Sequence, residues 1–523
     1  MSKSYIPNLG AYNNIGTFPY WCSKVLPTVY DDSLSYYELL CKVVNSLNEL
    51  IKNHDTTIAN IKELYDAFVS LKEYVDEYFD NIDDSLIKEV VDKWLEEHPE
   101  VANYYVTPKM FGAKGDGVND DSDAIQQAVN VSNNILFDGG VYLITKTIKI
   151  PSNRKIEFIS GAKVLLGENA NVHMVENEDA NGNERISIHN AIFDINENNK
   201  NSNLMPTSFA RFYKCTGVEL SNCRFVGYGV ISVYSDVGAV YFSECENCII
   251  LECEITGAPT EGLVLHRCKS CVVKGGVYSH CKNGSGVALS GEYNTLIDVV
   301  CHTNDGSNFS INGPYSTLIG CVSYNGTGNN GLTFGHHNSP ADYSTAIGCI
   351  LRNNVNGIYI GTSKNVKIES CTIIGTDKDG AENYGILVGS DTNNCTFIGN
   401  NISNCLDGIY INRGASAVGN YVHDNSGRGI HSPFSKDCSI VNNVVTNNTV
   451  GIFTGDEAQN TFISGNHCYN DTTNEHKYTQ LIGIYSLGNS IILNNYCHGH
   501  SESDYSVVGS DITNGNVNSN GLL

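Results

Sequence analysis

The chain has 523 residues, room for about two or three domains, and it joins an apolar content of 41% to 50 glycines, the balance of turn-rich soluble structure. No apolar run approaches the length of a bilayer span, and the opening MSKSYIPNLGAYNN lacks the basic head and apolar core of a signal peptide, so neither membrane insertion nor export by that route is expected. A formal charge of −25 without clustered Lys and Arg argues against nucleic acid as a partner and slightly favours a neutral or mixed polymer over a polyanionic one. The 19 cysteines are expected to stay reduced, since a chain without a secretion signal is made in a reducing cytosol.

Residues 1–30 set Pro7, Pro19 and Pro27 among aromatic residues and glycines and read as an irregular, adhesive segment. A helix can begin at Asp31 and Ser33. Apolar residues then recur at alternating steps of four and three, from Leu40, Val44, Leu47 and Ile51 through Ile58, Ile61, Tyr65 and Phe68 to Val75, Phe79, Ile82 and Leu86. A heptad period held over about six repeats makes chains supercoil around one another, so residues 31–100 are predicted to form a coiled-coil stalk. Ile at both seam positions in its middle favours three chains, and a homotrimer is expected. His54 and Lys72 interrupt the seam, His54 reading as a register-setting polar layer. The helix should stop near Pro99.

Residues 101–185 hold the next unit. The segment YVTPKMFGAKGDGVNDDSDAIQQAV, residues 105–129, reads as a strand, a glycine-rich turn and an amphipathic helix begun by Asp and Ser caps. Its runs FGAKGDGV from Phe111, DDS from Asp120 and AIQ from Ala124 resemble the opening of the pectate-lyase-like superfamily of parallel β-helix proteins. The resemblance implies that this segment caps the N-terminal end of a solenoid. An open β-helix end would expose a dry core and unpaired strand edges, so a covering helix is also the physical expectation. Asp116, Asp120 and Asp121 then serve as caps and turn residues.

An internal repeat fills residues 186–500. Glycine followed by alternating apolar residues recurs at Gly262, Gly286, Gly331, Gly357, Gly385, Gly408, Gly429, Gly451 and Gly483, mostly at spacings of 21 to 28 residues. That period suits one short-stranded coil per repeat, and the fold class predicted is an all-β right-handed parallel β-helix behind the helical stalk. A second strand in each repeat ends in a small or amide residue, giving the column Ala191, Cys223, Cys253, Gly276, Val299, Cys321, Cys349, Cys371, Asn400, Asn420, Asn443, Asn466 and Asn495. Coils stacked about 4.8 Å apart would let such asparagines bond along the stack, with Cys as a small filler nearer the N-terminus. Residues 501–523 are expected to form a C-terminal tail or cap.

Within the glycine strand, Leu263/Leu265, Val287/Leu289, Ile358/Ile360 and Ile409/Ile411 should face inward. The outward column then reads Val264, Ala288, Ser310, Thr333, Tyr359, Leu387, Tyr410, His431, Phe453 and Tyr485. Its aromatic half is either a platform for sugar rings or the seam of the trimer. Tyr359, Tyr410, Phe453 and Tyr485, with Arg352 and Arg428, are the substrate-binding candidates.

Carboxylates stand just before the glycine strand at Glu261, Asp305, Asp377, Asp379, Glu382, Asp407 and Asp424. Glycoside hydrolysis needs two carboxyl groups about 5 to 9 Å apart, one or two coils. The coil holding Asp377–Glu382 is long enough for its loop to wall a groove, so Glu382, Asp407 and Asp424 are the catalytic candidates. The plain alternative is that Asp beside Gly only reverses the chain. TNDG at 303–306 and GHH at 335–337 match the polygalacturonase elements too poorly to carry over roles. The spacing Asp377-x-Asp379-Gly-x-Glu382 could take calcium but lacks a full ligand set, and no other cofactor is expected. His467, Cys468, His476, Cys497, His498 and His500 suggest zinc, but Cys468 and Cys497 fall at inward positions, and no metal is expected.

The runs FPYWCSKVLP from Phe18 and YDDSLSYYELLCK from Tyr30 resemble the leading segment of tail proteins from phages of Gram-positive bacteria. That resemblance implies a chain made in the host cytoplasm, docked through residues 1–30 on virion tail or connector proteins, and meeting a bacterial cell-surface glycan. It would bind that glycan or depolymerise it. The alternatives are a non-catalytic adhesin of the virion and a bacterial polysaccharide-degrading enzyme.

Overall fold

A computed structural model describes residues 105–522, apart from 160, 202–207, 229–237, 327, 329, 337, 376–382, 472–477 and 509–510. The adhesive segment, the stalk, Asp377, Asp379, Glu382 and His476 therefore lie outside the described residues.

Three short strands joined by three corners make one coil, as in Thr396–Ile398, Asn401–Ser403 and Asp407–Tyr410, after which Ser416–Val418 starts the next. Each strand pairs in parallel with its counterpart one coil away: Thr396 lies beside Ser416, Asn401 beside Tyr421 and Tyr410 beside His431. Stacking yields three parallel sheets, a first of 17 strands and a third of 15 among them. Strand centres alternate inward, and Leu263, Leu265, Val287, Leu289, Ile358, Ile360, Ile409 and Ile411 are all buried as their parity requires. The core is one continuous column running from the cap to the last coils.

The corner between the first and second sheets turns on two residues. The first takes a left-handed conformation, as Gly399, Gly419, Asn442, Gly465 and Asn494 do, a region where Gly and Asn cost least. The second points inward and is the column read from the sequence. From Asn400 to Asn516 the side chains form an unbroken amide ladder, each Nδ2 donating to the Oδ1 of the next coil at 2.9 to 3.0 Å. Asn443 shows the full pattern. Its Nδ2 also donates to Ala417 O, and its Oδ1 accepts both the backbone N–H and the Nδ2 of Asn420. Every polar valence of a buried amide is thus used, which is what makes such burial tolerable. Where the column holds cysteine, Cys349 and Cys371 donate their thiols to the corresponding carbonyls of Leu318 and Ala346. All 17 described cysteines are free and buried.

A second polar stack lines the corner between the second and third sheets. Asn425 Oδ1 accepts from Cys405 N, Asn425 Nδ2 donates to Asn448 Oδ1, and Gln480 and His500 continue the stack to Asp504.

The repeated glycines answer to close packing. A Cβ on Gly408 would sit 2.3 Å from Val422 Cγ1 and 2.6 Å from the carbonyl of Gly429. At the third corner Tyr293, Tyr315 and Tyr343 take φ of +58, +57 and +59 degrees, where bulky side chains are rare. Their rings stack at 4.9 and 5.3 Å, a contact that offsets part of the backbone cost.

At the N-terminal end, the helix Ser122–Val131 lays Ile125, Ala128 and Val129 over the first coil. Asp116 accepts from the amides of Val118 and Asn119, Asp120 from that of Ser122, and Asp121 from those of Lys114 and Gly115, so all three hold turns, and Asp121 occupies the helix N-cap position without a side-chain cap bond. At the other end the coils continue past residue 500: Ser503–Val507, Ile512–Asn514 and Val517–Asn518 join the three sheets, and Gly521–Leu522 folds back antiparallel.

Two outcomes follow from this packing. Asn443→Ala orphans donors on Asn420 and the carbonyl of Ala417 in a dry corner, and should destabilise the neighbouring coils by about 3 kcal/mol, read as faster amide exchange at Asn420 and Asn466; unchanged exchange would contradict the ladder's role. Burial first, and neighbouring Arg211, His280 and His498 next, hold the imidazoles of His173, His302 and His467 below the ordinary 6.5, and burial outweighs Asp504 at His500. The unfolded chain takes up these protons first, so stability is complete above about pH 6.5 and falls as pH drops below it. The urea midpoint should be lower at about pH 5.5 than at about pH 7.5.

Candidate functional site

The outward residues of the third sheet lie in one register line: Thr333, Tyr359, Leu387, Tyr410, His431, Phe453 and Tyr485. Its early part is covered, with Val264, Ala288 and Thr333 only 6%, 8% and 3% exposed. From Tyr359 onward the side chains are partly open. Tyr410 meets Tyr384 and His431 edge to face at 5.8 and 4.8 Å, and His431, Phe453 and Tyr485 continue the run at 5.4 and 5.5 Å. These spacings are those of favourable aromatic pairs.

Beside this ladder lies a groove of about 770 Å³. Tyr359, Tyr384, Leu387 and Tyr410 give it an apolar wall, while Arg413, Lys436 and Glu457 give it charge. Two cations against one carboxylate reverse, locally, the sign of the chain as a whole.

Asp407 is the first residue of its third-sheet strand, two before inward Ile409, and is buried, whereas Tyr384 and Arg428 at the same place in the neighbouring coils are partly open. Its side chain is 2% exposed. One oxygen accepts the backbone N–H of Arg428 at 2.8 Å, and the other lies 2.6 Å from His431 Nδ1. Arg428 follows Asp407 one coil later, its guanidinium 3.8 Å from the same carboxylate and 4.8 Å above the Phe453 ring. Burial first, then Tyr384 and Asp407, hold the Tyr410 phenol above its ordinary pKa against the opposing Arg428.

The other candidates are placed apart from this cluster. Asp424 occupies the corner after Tyr421–His423 in a left-handed conformation, its carboxylate 2.7 Å from His423 Nδ1. Its counterpart one coil earlier is Asn404, not Asp407. Arg352 ends a second-sheet strand, Ile350–Arg352. Glu382 lies outside the described residues. Of the nine residues singled out, the third sheet thus brings together Asp407, Arg428, Tyr359, Tyr410, Phe453 and Tyr485. The sequence reading had His431 in the outward column without a role, and it passed over Tyr384, Arg413 and Lys436. Tyr384 stands immediately before a repeat glycine, the same place as Asp407 and Arg428, and that shared place was the available signal.

On the second sheet His467 Nε2 approaches His498 Nε2 at 3.0 Å, and Cys468 and Cys497 are buried in the core. Among the described residues no group of three or more His, Cys, Asp or Glu is arranged to hold a metal ion, and no helix is long and apolar enough to cross a membrane.

The family model for "Right handed beta helix region" matches residues 208–394, and that for "Periplasmic copper-binding protein (NosD)" matches residues 316–520. The chain is 27% identical over 279 residues to the preneck appendage protein of Bacillus phage PZA, a match covering 46% of this chain and 31% of that protein. The match thus spans less than a third of that relative's length. A 49-residue stretch, 9% of this chain and 6% of its relative, is 49% identical to a capsule K30/K69-specific depolymerase of Klebsiella phage K64-1. Among solved structures, pre-mature gene product 12 of bacteriophage phi29 superposes with a TM-score of 0.52 at 16% identity, over 83% of this chain and 60% of that one. The chain is a parallel β-helix protein whose homologues include phage pre-neck appendage proteins.

Proposed function

We propose that this chain is a phage tail appendage that binds a bacterial cell-surface glycan along the outward face of its third sheet. The observation that carries the reading is the juxtaposition of the aromatic run with a polar groove. Sugars offer apolar faces to rings and hydroxyls to polar groups, so a glycan site needs both kinds of lining. The seam of a trimer would be drier and more apolar at its centre. In the groove Asn412, Arg413, Lys436, Glu457 and Gln459 stand beside Tyr359 and Tyr410. The names of the relatives, an appendage and a capsule depolymerase, support the same reading.

The remaining architecture follows the sequence: residues 1–30 anchor the chain to virion tail proteins, residues 31–100 form a three-chain coiled-coil stalk, and residues from 101 onward carry the cap and coils. The protein is made in the host cytoplasm and resides in the virion tail.

Two measurements bear on this. In a binding assay on purified surface polysaccharide, Tyr410→Ala and Tyr359→Ala should each weaken binding about tenfold, or about 1.4 kcal/mol; wild-type affinity in both would refute the site. Sedimentation of the full chain should give a trimer through the stalk seam, and a monomer would refute that assembly.

A further inference from the structure

The outward faces of the first and second sheets carry very little charge in a chain whose formal charge is −25. From Ile249–Leu251 to Asn489–Leu493, the described strands of the first sheet present Lys274, Lys367 and Glu369 as their charged side chains, and the last two pair with each other at 2.6 Å. From Val277–Ser279 to Tyr496–His498, those of the second sheet present one fixed charge, Arg352. Apolar residues line both sides of the corner where these sheets meet. Ile319 and Ile347 are neighbours on the first-sheet side, as are Val322 and Ile350 on the second. Ile319 and Ile350 are 39% and 37% exposed. The tip of the corner is slim: Gly320, Gly348, Gly399 and Gly419 turn it with positive φ, and among the described residues carboxylates stand there only in earlier coils, at Glu252 and Asp298.

Strand propensity explains why Thr, Val and Ile recur on these faces, but not why Asp, Glu and Lys are so scarce over so many coils. A long uncharged strip marks a surface that meets another molecule. Charge selects which one. Two copies of a strongly acidic chain repel, and they approach at least cost where neither carries charge. Around a threefold axis every contact is heterologous, so one chain must offer two different patches that fit each other. The two sides of this corner are such a pair, at equal height on one ridge. The heptads of residues 31–100 predict three parallel chains and end shortly before the first strand, Tyr105–Val106, which sets equal coils of three solenoids side by side. From Gly320 to Asn494 each face is about 35 Å long and about 10 Å wide. A copy touching two neighbours would cover about 700 Å², close to the about 800 Å² that each partner gives in a stable complex, and the stalk adds effective concentration.

We propose that three copies of this chain pack their solenoids around a common axis, with the corner from Gly320 to Asn494 facing that axis and the first sheet of each copy covering the second sheet of the next. The proposal goes beyond the glycan reading and rests on the three-chain stalk. Glu252 and Asp298 lie before this stretch, so like carboxylates do not meet at the axis within it. Inside the seam Lys367 and Glu369 neutralise each other, and Arg352, two residues further from the corner than Ile350, falls toward its polar rim. The third sheet lies opposite this corner in every coil. The arrangement therefore leaves the aromatic run and the groove beside it on the periphery.

Hydroxyl-radical oxidation of the full-length protein, read residue by residue by mass spectrometry and joined to sedimentation of the same sample, tests the seam. Tyr421, next to the corner on the second sheet, is 39% exposed within one chain, close to the 43% of Tyr315 at the third corner. In the trimer Tyr421 should be oxidised severalfold more slowly than Tyr315. Ile398 and Val418 stand across the corner from it and are partly open on the single chain. The double variant Ile398→Asp, Val418→Asp puts carboxylates into the seam of every copy. It should remain a trimer through the stalk while Tyr421 loses its protection and reacts like Tyr315. The uncharged control Ile398→Thr, Val418→Thr should keep the protection, and Tyr278, fully buried in the core, should stay unmodified in both, which shows an intact solenoid. A trimer whose wild-type Tyr421 reacts as fast as Tyr315, or whose protection survives the Asp variant, overturns the seam and leaves the stalk standing. A monomer overturns both.

Discussion

Stacking in register is the constraint from which the rest of this molecule follows. A coil of three short strands cannot bury its own apolar face; it gains a core only when the next coil covers it. Parallel pairing satisfies the backbone along the stack, but at the corner between the first and second sheets the N–H of the inward residue bonds to a side-chain oxygen of the next coil instead of a carbonyl. Asparagine closes that gap: in the column from Asn400 to Asn516 the side-chain amide bonds forward and back as a backbone unit would. The same geometry forbids a side chain at Gly408, whose missing Cβ lets the neighbouring coil approach.

Register also builds the candidate site. Because equivalent positions superpose, a change of residue type along one line creates a surface feature without any change of backbone. From Tyr359 to Tyr485 the outward line of the third sheet becomes largely aromatic, and the positions before the glycines hold Tyr384, Asp407 and Arg428 in successive coils. Asp407 is buried at the start of its strand, His431 stands in the outward line one coil later, and the carboxylate meets the imidazole across that step.

Much of this was legible in the sequence because a solenoid writes its period directly into the chain. The Asn and Cys column, the inward pairs such as Ile409 and Ile411, and the outward line through Tyr410 could be read by counting. Counting alone does not fix the burial of Asp407, since Tyr384 and Arg428 hold the same place in neighbouring coils and are partly open. Asp424 was grouped with it by distance from a glycine, whereas the corner between the second and third sheets separates them. The stack from Asn425 through Gln480 to His500 escaped notice because its members differ in type and the loop before Gln480 changes the spacing. Arg413 and Lys436 come to the groove from the corner after the third sheet, where no periodic apolar pattern fixes the register.

Whether the third sheet's outward face meets sugar or another copy of the chain is decided most directly by a reconstruction of the full-length protein with oligosaccharide from a polysaccharide it binds. If that face is the glycan site, sugar density lies along Tyr359, Tyr384, Tyr410 and Phe453, open to solvent at the periphery of the assembly. A face sealed between protomers, with sugar elsewhere, would contradict it.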